Sequence, residues 1–144
     1  MWSRRNSANG PLVRSPRGSI YRFQSAYPHG SEFQVVAFEA NSKFNRSYIG
    51  TDVEYYNYAA GTRNGSAFLS GNALGARVFN GTKPVLSGRI SEIRMLDFVA
   101  FARRRLRPED YVVLKMDIED SEWTLVPALI AAGVMPLMDE MFFE

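Results

Sequence analysis

Two short runs constrain this chain more than anything else in it. Residues 33–38 (Phe-Gln-Val-Val-Ala-Phe) and residues 111–116 (Tyr-Val-Val-Leu-Lys-Met) are β-branched, aromatic and almost continuously apolar, and they stop at Glu39 and Asp117. A strand that is apolar at successive positions is covered on both faces, the condition of an inner strand in a parallel sheet. In open sheets of that kind, ligands bind at the carboxyl ends of the strands. The two acidic tips are therefore the first candidates for a functional site.

The elements around these runs point the same way. Residues 53–60 predict a further strand, closed by Gly61. Asn64-Gly65 marks a turn, and residues 67–69 form a short return strand. Residues 70–89 read as loop. Asp97 is placed to cap a helix over 98–106 that ends in a cluster of arginines and stops at Pro108. Asp120 or Ser121 can cap the next helix, which Pro127 should bend and Gly133 should end. Residues 137–143 give a last strand. Strands alternating with helices predict an α/β fold with a mainly parallel sheet.

Composition narrows the chemistry. The chain has 144 residues, enough for one domain, and 46% of them are hydrophobic and 22% charged, the balance of an ordinary globular protein. It has no cysteine and one histidine, His29, which removes thiol chemistry, disulfides and multi-histidine metal sites. The uncharged run 123–138 is shorter than the ~20 apolar residues of a membrane-spanning helix and contains two prolines, so no membrane span is expected. The net charge of +2 is unevenly spread: Arg4, Arg5, Arg14, Arg17 and Arg22 precede the first acid, Glu32, leaving 12 of the 17 basic and all 15 acidic side chains to the remainder. Residues 1–30 are thus expected to form a basic, disordered arm, with organelle targeting as an alternative, and residues 31–144 the folded, soluble part. A folded part with more acids than bases offers no broad nucleic-acid-binding face.

Several side chains could carry chemistry. Glu39 can accept hydrogen bonds from both hydroxyls of a ribose, or it can be a solvated loop carboxylate. Asp117, Glu119, Asp120 and Glu122 crowd four carboxylates into six residues, which suits a divalent cation, a substrate pocket, or a helix start where negative charge is favoured. Lys115, inside its strand, can neutralise that cluster. Tyr55, Tyr56 and Tyr58 can stack on a base or serve as packing. His29, in a turn-like Tyr-Pro-His-Gly, reads as a surface histidine, with a general-base role as the alternative. The arginines at 103–105 and 107 read as a solvated helix end, with an acidic or phosphate partner as the alternative.

Three blocks together, Val35-Val36-Ala37-Phe38-Glu39-Ala40-Asn41, Asn57-Tyr58-Ala59-Ala60-Gly61 with Asn64-Gly65, and Leu114-Lys115-Met116-Asp117-Ile118-Glu119-Asp120-Ser121-Glu122, resemble the FkbM family of S-adenosylmethionine-dependent methyltransferases. Residues 138–144 are similar to the family's next strand. The resemblance covers roughly residues 30–144. It implies a Rossmann-like class I methyltransferase fold, a domain truncated at both ends, and O-methylation of a small-molecule or sugar-like hydroxyl. Glu39, Asn41, Ala59 and Asp117 would contact S-adenosylmethionine, Asp117 would also be catalytic, and Glu119 and Glu122 would hold the substrate. No metal is implied. The pattern departs from the family in the arm, where its glycine-rich cofactor loop is not evident, and at Asp120, where glycine is usual. Readings from other classes are an inactive remnant or interaction module, self-associating through an exposed sheet edge, and a metal-dependent hydrolase built on the acidic cluster.

Overall fold

The computed structural model describes residues 2–4, 19–71, 77–79 and 90–143; most of the basic arm lies outside these. Its elements in chain order are β1 (Trp2–Arg4), α1 (Ser19–Ala26), β2 (Gln34–Phe38), β3 (Glu54–Tyr56), β4 (Ala59–Gly61), β5 (Gly65–Ser70), β6 (Arg77–Phe79), β7 (Ile90–Asp97), α2 (Phe98–Arg105), β8 (Tyr111–Met116), α3 (Glu122–Ala131) and β9 (Glu140–Phe143).

The strands form two sheets. The larger has the order β3-β2-β1-β8-β9 and the smaller β4-β7-β5-β6. In the larger sheet β2 is parallel to β3, and β8 to β9, while β1 runs antiparallel to both β2 and β8. The sheet is therefore mixed in direction. In the smaller sheet β4 is parallel to β7, and β5 pairs antiparallel with β6 and β7.

The two runs singled out by their apolar character become β2 and β8, and both are covered on two sides. Val36, Val112, Leu114 and Met116 pack into the main core with Phe98, Phe101, Ala102, Leu106, Leu125, Leu129 and Val134. On the opposite face Val35 and Val113 join Phe33 in a second cluster, against which Ile20, Phe23, Tyr27 and Val53 pack. Helix α1, within the arm, thus closes the lower half of that face. Gly30 is what lets it come so close: a Cβ there would lie 2.7 Å from the Phe23 carbonyl oxygen and 2.8 Å from the Gln24 backbone.

Residues 53–60 make two strands in two sheets instead of one. The chain turns between them where Tyr58 N–H donates to Tyr56 O at 2.9 Å, so β3 stays beside β2 and β4 departs to β7. The longest strand among the described residues, β7, has no continuous apolar pattern in the sequence because Glu92 and Arg94 interrupt it. Of the expected loop 70–89, residues 77–79 are β6, and 72–76 and 80–89 lie outside the described residues. Asp97 caps α2 as its position suggests, Oδ1 accepting Ala100 N–H at 2.8 Å. Ser121 stands at the N-cap of α3 with no side-chain cap bond, and Pro127 lies within that helix.

Candidate functional site

Strand alternation puts Glu39 and Asp117 on one side of the sheet. Side chains two apart share a face, so Ala37 and Glu39 follow Val35, and Lys115 and Asp117 follow Val113. Tyr55, paired with Ala37, joins them. The lower half of this face lies under α1. The upper half, at the carboxyl ends of β2 and β8, carries the polar and ionisable groups. Among the described residues, β1 pairs with Val35 of β2 and Val113 of β8 and separates these strands below that rim.

The Asp117 charge acts on Glu39. Burial pushes the Glu39 carboxyl above the usual carboxylate range, and the Asp117 charge adds to the rise, while the hydrogen bond from Asn41 opposes it. Lys115 Nζ lies 3.8 Å from Asp117 Oδ2 and offsets part of the negative charge.

Local bonding fixes the Glu39 tip. Asn41 is 8% exposed, the one buried polar residue among those described, and its N–H donates to Glu39 Oε1 at 2.7 Å. Its side chain accepts Lys43 N–H at 3.1 Å, starting a 3-10 turn over Ser42–Tyr48. Asn57 Nδ2 donates to the carbonyls of Glu39 and Ala40 at 2.8 and 3.3 Å. Ala59 is buried with Ala67 and Met95, and Ala40 packs on that cluster. The residues expected to hold a cofactor thus form one continuous neighbourhood.

Tyr48 and Asn45, which are not among the residues singled out from the sequence, belong to the same neighbourhood. Tyr48 stacks on Tyr55 with ring centroids 4.2 Å apart, and Tyr55 donates its hydroxyl to Asn45 Oδ1. Burial, then the Glu39 charge, pushes the Tyr48 hydroxyl up to about 12. No sequence signal flagged Tyr48, because an isolated tyrosine in a polar turn has no periodicity. The other two tyrosines of the triplet are engaged elsewhere: Tyr56 stacks on Phe38, and Tyr58 lies under the Arg94 guanidinium at 4.4 Å.

The acidic block after β8 is divided among separate tasks. Glu119 and Asp120 are both left-handed, with φ of 51° and 75°. Asp120 Oδ2 pairs with Arg77 at 3.3 Å, and both line a cavity that Glu119 also borders. Glu122 turns back, Oε1 accepting Ile118 N–H at 2.7 Å, and so closes the strand-to-helix turn. Among the described residues no three His, Asp or Glu side chains are grouped to hold a metal ion.

The remaining candidates lie apart from the rim. His29 contacts Glu32 at 3.0 Å on the surface. Arg105 pairs with Glu54, and Arg107 lies 4.0 Å from Glu109. Among the described residues no helix is long and apolar enough to cross a membrane. Comparison with protein-family models, curated proteins and solved structures finds no match to this chain.

Proposed function

We propose that the chain is an S-adenosylmethionine-dependent methyltransferase acting on a hydroxyl of a small molecule, as its resemblance to the FkbM blocks implies. The observation that carries this reading is the pairing of Glu39 and Asp117 at one rim, close enough for the Asp117 charge to act on Glu39. The strand order supports it: from β1, the sheet grows through β2 and β3 on one side and β8 and β9 on the other. The rim lies at the carboxyl ends of β2 and β8, the two strands that flank β1.

The residues present suit the cofactor. Glu39 has one oxygen engaged by Asn41 and the other directed to no partner among the described residues, so it can accept a ribose hydroxyl. The stacked Tyr48–Tyr55 pair supplies aromatic surface beside it. When bound, S-adenosylmethionine supplies an electrophilic methyl group on a sulfonium. Asp117 would orient the acceptor hydroxyl and take its proton, with Lys115 Nζ 3.8 Å from its Oδ2. Most of the rate would come from holding the reactants in line.

One observation favours a second reading, that of a non-catalytic interaction module. The central strand β1 opposes both neighbours, and the edge strand β9 exposes Phe142 and Phe143. Calorimetric titration with S-adenosylmethionine separates the two. Saturable heat that Glu39→Ala abolishes supports the enzyme. No heat at millimolar cofactor, together with a concentration-dependent dimer in light scattering, supports the module.

A further inference from the structure

The foot of the same sheet face gathers three oxygens that the rim does not use. Tyr27 lies just past α1, Tyr111 opens β8 and Glu140 opens β9. Glu140 Oε1 accepts both phenolic hydroxyls, and the two hydroxyl oxygens lie 3.3 Å apart. We propose that Tyr27, Tyr111 and Glu140 form a binding site for a hard trivalent cation such as ferric iron, which takes the place of the two phenolic protons.

Charge and donor chemistry carry the inference. A phenolate and a carboxylate are each singly negative oxygen donors. Two phenolates and one carboxylate together carry the three negative charges that neutralise a trivalent cation. Hard cations take such oxygens in preference to softer donors. Adjacent oxygens around an octahedral cation with bonds of about 2 Å lie about 3 Å apart, so the three atoms here already span one face of that polyhedron. Among the described residues Glu140 has no ion-pair partner, and the Asp139 charge also acts on Tyr111. Both carboxylates favour a cation at this place.

The donors are positioned before any cation arrives. Tyr27 stacks on Phe23 at 4.6 Å and meets Phe33 edge-on at 5.6 Å, and Phe33 meets Tyr111 at 6.3 Å. Strand register sets Glu140 beside Val113, on the face that Tyr111 shares. Tyr111 is 41% exposed, so water reaches the cluster and can fill the remaining coordination positions. In the free chain both hydroxyls hold their protons: burial, then the bond to Glu140, pushes the Tyr27 hydroxyl up, and the bond to Glu140 does the same for Tyr111. Binding is an exchange without change of oxidation state. Three metal–oxygen bonds form, two O–H bonds break, and both protons pass to solvent. The cluster lies at the opposite end of β8 from Asp117, so it stands independently of the methyltransferase reading.

The test titrates the full chain with ferric iron, supplied as its nitrilotriacetate complex, and follows visible absorbance. The expected result is a phenolate-to-iron charge-transfer band that saturates near one iron per chain, with about two protons released to the medium. A large excess of magnesium should leave the band in place. Tyr111→Phe should weaken the band, and Tyr27→Phe combined with Tyr111→Phe should abolish it. Glu140→Gln still offers both hydroxyls an acceptor oxygen but removes one charge, so it should keep the fold and weaken iron binding about tenfold. Tyr21→Phe alters an exposed tyrosine outside the cluster and should change nothing. No band in the parent chain would reduce the cluster to a tie between the arm and the sheet and overturn the proposal. A band that survives the double variant, that Tyr21→Phe removes, that magnesium displaces, or that is as tight in Glu140→Gln would overturn it equally.

Discussion

Asn57 donates its side-chain amide to the backbone carbonyl of Glu39 at 2.8 Å, so the corner after β3 holds the end of β2 in place. The same amide reaches Ala40 O at 3.3 Å. The rim is thus tied across strands by a residue that need never touch a ligand. Replacing Asn57 by Ala should leave these carbonyls short of a partner and cost roughly 1–2 kcal/mol of stability. Urea denaturation measures this, and cofactor affinity, where present, should fall with it.

The Glu39 carboxyl, raised above its ordinary value of 4.5 mainly by burial, makes stability depend on pH in a definite direction. The folded chain holds this proton more tightly than the unfolded chain. Its contribution is complete below the ordinary carboxylate range and is lost as pH rises through the raised folded value. Glu39→Gln should remove that loss. Melting curves from pH 4 to 8 should show the variant gaining on the parent as pH rises. Equal slopes would contradict the burial of Glu39.

Tyr48 gives an alkaline counterpart. Its hydroxyl, pushed up from 10.0 to about 12, is protonated in the folded chain where the unfolded chain has begun to ionise. Stability should therefore fall between these two values, and Tyr48→Phe should flatten the fall. Tyrosinate absorbance near 295 nm, followed with and without denaturant, reads it directly.

Gly30→Ala should destabilise the chain by roughly 1–3 kcal/mol, the usual cost of overpacking. The added Cβ would meet the backbone of α1, which cannot swing aside as a side-chain tip can. Chemical denaturation gives the magnitude, and amide shifts in α1 should accompany it. A neutral result would show that α1 can detach from Phe33 and Val113 without loss.

Leu129→Ala should cost about 2–5 kcal/mol, since Leu129 is fully buried in the core that α3 shares with β8. Asp97→Ala should cost about 1 kcal/mol through loss of the α2 cap. Urea denaturation of each variant measures these costs.

The sequence by itself determined β2 and β8, the Asp97 cap and the acids that end both strands. Each is a local signal: unbroken apolar character requires burial on two faces, and a carboxylate ahead of a helix answers its free N–H groups. Tertiary structure alone decided the direction of β1, the division of residues 53–60 between two sheets, and the side of the sheet on which Glu39 meets Asp117. It also decided that Tyr48 joins Glu39 and that Arg77 faces Asp120. Strand partners and neighbours distant in sequence are chosen by hydrogen-bond register and burial across the whole chain, and no window of local sequence carries that information.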